Sequence, residues 1–166
     1  MDKPSRTTDD YLEDVRAQVP LYDQLQDAAV AAIPFAPETV LELGIGTGQT
    51  SVRLLERFPG ARITGARDLV EDVSLARMED PLPDGPWDLV VCVLSAHRLT
   101  NEQKQALFRR VRQHSKAFVL GDFVALETGE GRTQVEGTAY PETARGLAEW
   151  SGGEIAWQGD DLVVVA

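Results

Sequence analysis

The sequence predicts an α/β protein: a mostly parallel, doubly wound sheet that ends in a C-terminal antiparallel hairpin. Three observations predict it. Short β-branched and leucine-rich runs at 39–43, 61–65, 87–94 and 116–124 alternate with amphipathic stretches of helical period. The runs WDLVVCVL and KAFVLGDFV are apolar almost throughout, as suits strands covered on both faces. Finally, EIAWQ and DLVVVA flank Gly159-Asp160, a two-residue hairpin signal.

The elements follow in chain order. Leu12, Val15 and Val19 share one helical face, and after Pro20 the series Tyr22, Leu25, Ala29, Ile33 recurs at helical spacing until Pro34 and Pro37. TVLEL (39–43) reads as a strand at the centre of the sheet, followed by a helix over 49–58 that stops at Pro59-Gly60. ARITG (61–65) is the second strand. Only residues 66–72 then precede VSLARM (73–78), fewer than the ~10–12 that a parallel crossover needs. Either 68–78 is one short helix with Leu69, Val73 and Ala76 inward, or 73–78 is an edge strand, which the alternation of Val73 and Leu75 favours. Between the third and fourth strands lies a helix over 101–114, opened by a capping box of Thr100 with Gln103. Residues 128–137 lack periodicity and read as a loop. Pro141, the apolar Ala144, Leu147 and Ala148, and Gly152-Gly153 then frame a last helix.

A length of 166 residues fits one domain spanning 1–166, with residues 1–36 as N-terminal helices and 37–166 as the core. With 43% hydrophobic and 26% charged residues and no apolar stretch near the ~18–20 needed to span a bilayer, the sequence predicts no membrane protein. No apolar run follows the basic residues of the N-terminus, and Cys92 has no second cysteine to pair with, which predicts a cytoplasmic protein. Sixteen Lys and Arg against 27 Asp and Glu give a net charge of −11. Such a surface repels phosphate backbones, so nucleic acid is excluded as a substrate. Two histidines and one cysteine without metal spacing argue against a zinc or iron site, leaving demanding chemistry to a bound organic cofactor or to nothing at all.

The most informative residues are Glu42-Leu43-Gly44-Ile45-Gly46-Thr47-Gly48, where the first strand meets its helix. Glycines here allow positive φ and a close approach of backbone to ligand, and the helix N-terminus offers free N–H groups. A tight connection with no ligand needs fewer glycines. A dinucleotide fingerprint would put glycine where Gln49 stands, and the Gly-Lys-Ser/Thr of a P-loop is absent. A β-branched residue at Gly46 is expected to abolish ligand binding with little change in melting temperature.

An acidic residue two before Gly-x-Gly-x-Gly resembles the first motif of the class I S-adenosylmethionine-dependent methyltransferases. The resemblance runs on through residues 40–65, EDPLPDGPWDLVVCVLSAHRL (79–99), FRRVRQ and FVLGDF, and implies a Rossmann-like core with residues 1–36 as lid helices. It implies S-adenosylmethionine as cofactor, with Gly44, Gly46 and Gly48 beneath its methionine part and Glu42 orienting the turn or reaching the amino group through water. It also implies that the backbone of Cys92 and Val93 lines the crevice; the Cys92 side chain itself reads as a small buried hydrophobe. The family's ribose acid falls on Arg67, leaving Asp68 one residue late as ribose ligand or as a helix cap with Glu71. The adenosine side would involve Met78, preceded by Arg77 where the family has an acid.

Methyl transfer needs a base only when the acceptor carries a proton. His97, expected at the cleft rim, is the candidate catalytic base, with a capping role as the alternative. Tyr11 and Tyr22 could frame a small-molecule acceptor, though Tyr22 reads better as an anchor of its helix. Methyl transfer to a small molecule is thus the leading expectation. A degenerate scaffold with a binding, regulatory or structural role, and a protein binding another nucleotide at the same turn, are the alternatives.

Overall fold

The computed structural model describes residues 7–44, 46–66, 82, 85–126 and 142–166. Two helices, α1 (Thr8–Gln18) and α2 (Tyr22–Ala31), precede β1 (Thr39–Leu43), α3 (Gln49–Arg57), β2 (Arg62–Ala66) and β3 (Trp87–Val93). A 3-10 turn (Ala96–Arg98) leads to α4 (Asn101–His114), β4 (Ser115–Phe123), α5 (Ala144–Ser151), β5 (Ile155–Gly159) and β6 (Leu162–Val165). The strands form one sheet in the order β2-β1-β3-β4-β6-β5. Neighbours from β2 to β4 run parallel, while β6 is antiparallel to both β4 and β5. The expected α/β architecture with its closing hairpin is therefore present. Among the described strands TVLEL lies between β2 and β3, and β3 and β4 hold the middle.

Strand alternation divides the core in two. Val40, Leu89, Val91, Val93, Val119 and Phe123 pack under α1–α3 with Leu25, Ala29, Ile33 and Leu54. Leu41, Leu43, Val90, Cys92 and Leu120 face the other way, against Leu107, Phe108 and Val111 of α4 and Leu147 of α5. Because successive side chains point to opposite faces, a strand covered on both sides must be apolar at every position, which is the pattern of β3. The stripe expected along α2 is buried: Tyr22, Leu25, Ala29 and Ile33 are all 6% exposed or less. Gly121 on β4 lets this helix come close, since a Cβ there would sit 3.3 Å from Leu25 Cδ1. The Thr100–Gln103 capping box forms as expected, with Gln103 N–H donating to Thr100 Oγ1 and Thr100 N–H donating to Gln103 Oε1 at 2.9 Å.

The hairpin turns one residue later than expected. Gly159 pairs with Leu162, so the two turn residues are Asp160 and Asp161, with Asp160 itself left-handed (φ 50°). Gly159 is glycine for packing: a Cβ there would lie 2.8 Å from Trp157 and 2.9 Å from Leu21. The expectations for 68–78, the 128–137 loop and Pro141 lie outside the described residues.

Leu25 has no exposed surface and sits where α2 meets the sheet. Leu25→Ala is expected to lower the unfolding free energy by about 3 kcal/mol, read from the midpoint of a urea titration.

Candidate functional site

Because β1, β3 and β4 are parallel, their C-terminal ends lie along one edge of the sheet. The glycine turn occupies that edge. Gly44, Gly46 and Gly48 all have positive φ, at 72°, 52° and 80°. Gly48 is the N-cap of α3, with no side chain capping that end and no acidic residue in the first turn, so first-turn N–H groups have no side-chain acceptor at the cap. A Cβ on Gly48 would meet nothing within 4 Å, and one on Gly46 only the Gly44 carbonyl at 3.9 Å. Backbone conformation, rather than crowding by any described residue, therefore confines Gly46 and Gly48 to glycine. The residues fit a ligand whose backbone-facing side lies flat on the turn.

Beneath the turn, Glu42 is only 3% exposed. The Ser51 hydroxyl donates to its Oε2, and the neighbouring Thr50 hydroxyl also favours its charged form. Burial pushes its carboxyl up from the usual range to about 7, against the opposing pull of these two hydroxyls. Thr50 in turn donates to Gln26 Oε1 of α2 at 2.6 Å. Burial raises the Tyr22 phenol, and Tyr22, at 6% exposed, anchors α2, while Tyr11 is 43% exposed on α1. Arg53 of α3 reinforces the junction by pairing with Asp23 at 2.7 Å and Asp27 at 2.8 Å.

Sequence reasoning missed Thr50 and Gln26. Their signal was nonetheless present: Gln26 lies four residues after Tyr22, on the apolar stripe of α2, and a polar residue there must find a partner.

Cys92 and Val93 end β3 beside Leu43, at 2% and 8% exposure. Burial pushes the Cys92 thiol up, so its side chain is an inert filler. The next residue, Leu94, is left-handed (φ 54°), which is uncommon for a non-glycine residue and turns the chain sharply at the sheet edge. His97 follows in the 3-10 turn and differs from its expected rim position: it is 4% exposed. Asp122, at the end of β4, holds it twice, accepting the His97 backbone N–H at 2.8 Å and Nδ1–H at 2.7 Å. Asp122 also accepts from the Phe123 N–H, and the Phe123 ring meets the imidazole edge-on at 5.1 Å. The imidazole is thus oriented, with Nδ1 committed and Nε2 its remaining nitrogen. Asp68 and Met78 lie outside the described residues, as do Arg67 and Arg77. A shallow recess of about 410 Å³ lined by Phe35, Glu38, Asp88 and Lys116 is at the opposite end of the strands, away from this cluster.

Several hundred solved chains match the structure, most informatively methyltransferases. Human N-acetylserotonin methyltransferase, solved with SAM, superposes with a TM-score of 0.66 at 14% identity, over 96% of this chain and 56% of that one. Mitomycin 7-O-methyltransferase gives 0.62 at 19% identity, over 95% and 56%. Magnesium protoporphyrin IX methyltransferase from Synechocystis, solved with bound SAH, gives 0.57 at 16% identity, over 87% and 81%. The chain has the class I methyltransferase fold. No family model and no curated protein matches this sequence. It spans little more than half the length of the first two structures.

Two outcomes follow from the geometry. Left-handed backbone costs a side-chain-bearing residue about 1–2 kcal/mol, so Gly46→Val is expected to lower the urea midpoint as well as block the turn, which corrects the expectation of an unchanged melting temperature. The folded protein holds the Glu42 proton more tightly than the unfolded chain does (about 7 against 4.5). That stabilisation is complete below about pH 4.5 and lost as pH rises through about 7, an effect of roughly 3 kcal/mol at most. Stability measured across this window should fall with rising pH, and Glu42→Gln should flatten the slope.

Proposed function

We propose that this chain transfers a methyl group from S-adenosylmethionine to a small-molecule acceptor. The observation that carries the reading is the left-handed glycine turn, with no described residue crowding Gly46 or Gly48 and with Glu42 behind it, at the C-terminal edge of a methyltransferase-like sheet. Open α/β sheets bind ligands at this edge. In this reading Gly44, Gly46 and Gly48 support the methionine part of the cofactor, Cys92 and Val93 line the crevice through their backbone, and Asp68 and Met78 serve the adenosine side. Glu42 fixes the turn from below.

When bound, S-adenosylmethionine supplies an electrophilic methyl group on a sulfonium. The chain's own residues position the acceptor and manage its proton. Asp122 holds Nδ1–H of His97, so Nε2 is the lone-pair nitrogen able to take a proton from an acceptor hydroxyl or amine. Tyr11, exposed on α1, frames the acceptor side, and Tyr22 acts through its hold on α2. The net charge of −11 argues against nucleic acid. Among the described residues no helix is long and apolar enough to cross a membrane, and a cytoplasmic setting belongs to the same proposal.

Calorimetric titration with S-adenosylmethionine tests the reading and should show saturable binding. No heat and no thermal shift at millimolar cofactor would overturn it in favour of a scaffold without enzymatic activity. With an acceptor in hand, His97→Ala should slow transfer on the order of a hundredfold while cofactor affinity is retained; an unchanged rate would remove His97 from the chemistry.

A further inference from the structure

The first turn of α3, immediately after Gly48, is held largely from outside its own helix. Arg53, one turn further along, uses all of its guanidinium nitrogens there. Nε donates to Asp27 Oδ1 at 2.8 Å, Nη2 to Asp23 Oδ1 at 2.7 Å, and Nη1 to Gln49 Oε1 at 3.2 Å and to the Gln49 carbonyl at 3.4 Å. Gln49 is the first residue of α3 and follows Gly48 directly. The next side chains are held too, Thr50 on Gln26 of α2 and Ser51 on Glu42. This first turn has no acidic residue of its own, and Asp23 and Asp27 bring carboxylates to its arginine from α2.

Asp23 has a second partner. Arg16 of α1 grips the same carboxylate with two bonds, from Nε to Oδ2 at 3.0 Å and from Nη2 to Oδ1 at 3.1 Å. A fork of this kind fixes the plane of the carboxylate, and Oδ1 is the oxygen that Arg53 also uses. Without Arg16, a half-exposed Asp23 can turn to water and loosen its hold on Arg53. Within α1 itself only Leu12 is buried, so this fork is a substantial part of what ties the helix down.

We propose that Asp23 is a clasp joining α1 to the glycine turn, and that Arg16, Asp23 and Arg53 are positioning residues through which order in α1 and cofactor binding strengthen each other. The coupling to cofactor rests on the reading above, whereas the clasp in the free protein does not. Tyr11, which frames the acceptor side in that reading, is carried on α1, so the clasp links the acceptor side of the site to its cofactor side. Such coupling is reciprocal: what an ordered α1 adds to cofactor affinity, bound cofactor returns to α1. Arg16 and Asp23 are 47% and 49% exposed, and a pair in that setting changes an equilibrium by a factor of about five at most. The clasp therefore tunes affinity and leaves the binding itself to the turn.

Arg16→Ala tests the clasp, because it removes an exposed side chain of α1 that touches neither α3 nor the turn in the hydrogen bonds described. In the free protein the variant should move the backbone amide resonances of Gln49 and Thr50; unmoved resonances overturn the clasp. Calorimetry with S-adenosylmethionine should then show an affinity about fivefold weaker than wild type. An unchanged affinity overturns the coupling and leaves the methyltransferase reading standing. Failure of the wild type to bind overturns that reading and the coupling together, while the free-protein resonances still decide the clasp. Asp23→Ala should weaken binding at least as much, and adding Arg16→Ala to it should cost nothing further; losses that add overturn the shared route. Saturating cofactor should also slow hydrogen exchange of the α1 amides in the wild type more than in Arg16→Ala, and equal slowing in the two proteins overturns the reciprocal half of the proposal. Should Asp23→Ala fail to fold, the Arg16→Ala measurements decide the matter alone.

Discussion

Strand β1 is covered on both faces and hydrogen-bonded along both edges, yet the chain must leave it and enter α3 within Gly44–Gly48. That constraint governs the site. Three left-handed residues make the reversal, and each would cost a residue with a side chain about 1–2 kcal/mol. The absence of side chains at these glycines is what leaves their backbone bare. The same reversal sets Thr50 and Ser51 over Glu42, so a carboxyl pointing into the α2–α3 face is sealed by hydroxyls. The apolar middle strands β3 and β4 supply the rigid frame against which this polar junction is held.

Parallel strands bring a second polar group to the same edge. Glu42 lies on the face of α1–α3, whereas Asp122 lies on the face of α4 and α5, where its charge reaches Cys92 and the buried Lys104. The two carboxyls have different surroundings and therefore different uses. Asp122 accepts three N–H bonds and serves as a fixed acceptor that aligns His97. Among the described residues Glu42 is hydrogen-bonded by the Ser51 hydroxyl, and burial raises its carboxyl to about 7. One edge of the sheet thus carries an orienting carboxyl on one face and a buried one on the other.

Most of this fold was legible in the sequence because strand and helix periods are local properties. The α2 stripe, the Thr100 capping box and all six described strands appear where composition put them, to within a residue or two. The misplaced turn shows where local reading ends: Gly159 is explained by Trp157 and Leu21, and the latter is more than a hundred residues away in sequence. His97 shows the same limit. Its burial depends on Asp122 in the next strand, so a reading from its own neighbours set it at the rim. The three glycines and Glu42 were visible as a motif, whereas Thr50 and Gln26 join them only once α2 is laid across α3. The adenosine side, with Asp68 and Met78, lies outside the described residues.

The central claim is that the left-handed turn over Glu42 is the cofactor's seat, and amide chemical-shift mapping on addition of S-adenosylmethionine tests it most directly. The account predicts the largest shifts at Gly44, Gly46, Gly48, Thr50 and Val93, with Phe35 and Lys116 at the opposite end of the strands unmoved. Shifts centred on Phe35 and Lys116, or a spectrum unchanged at saturating cofactor, would contradict it.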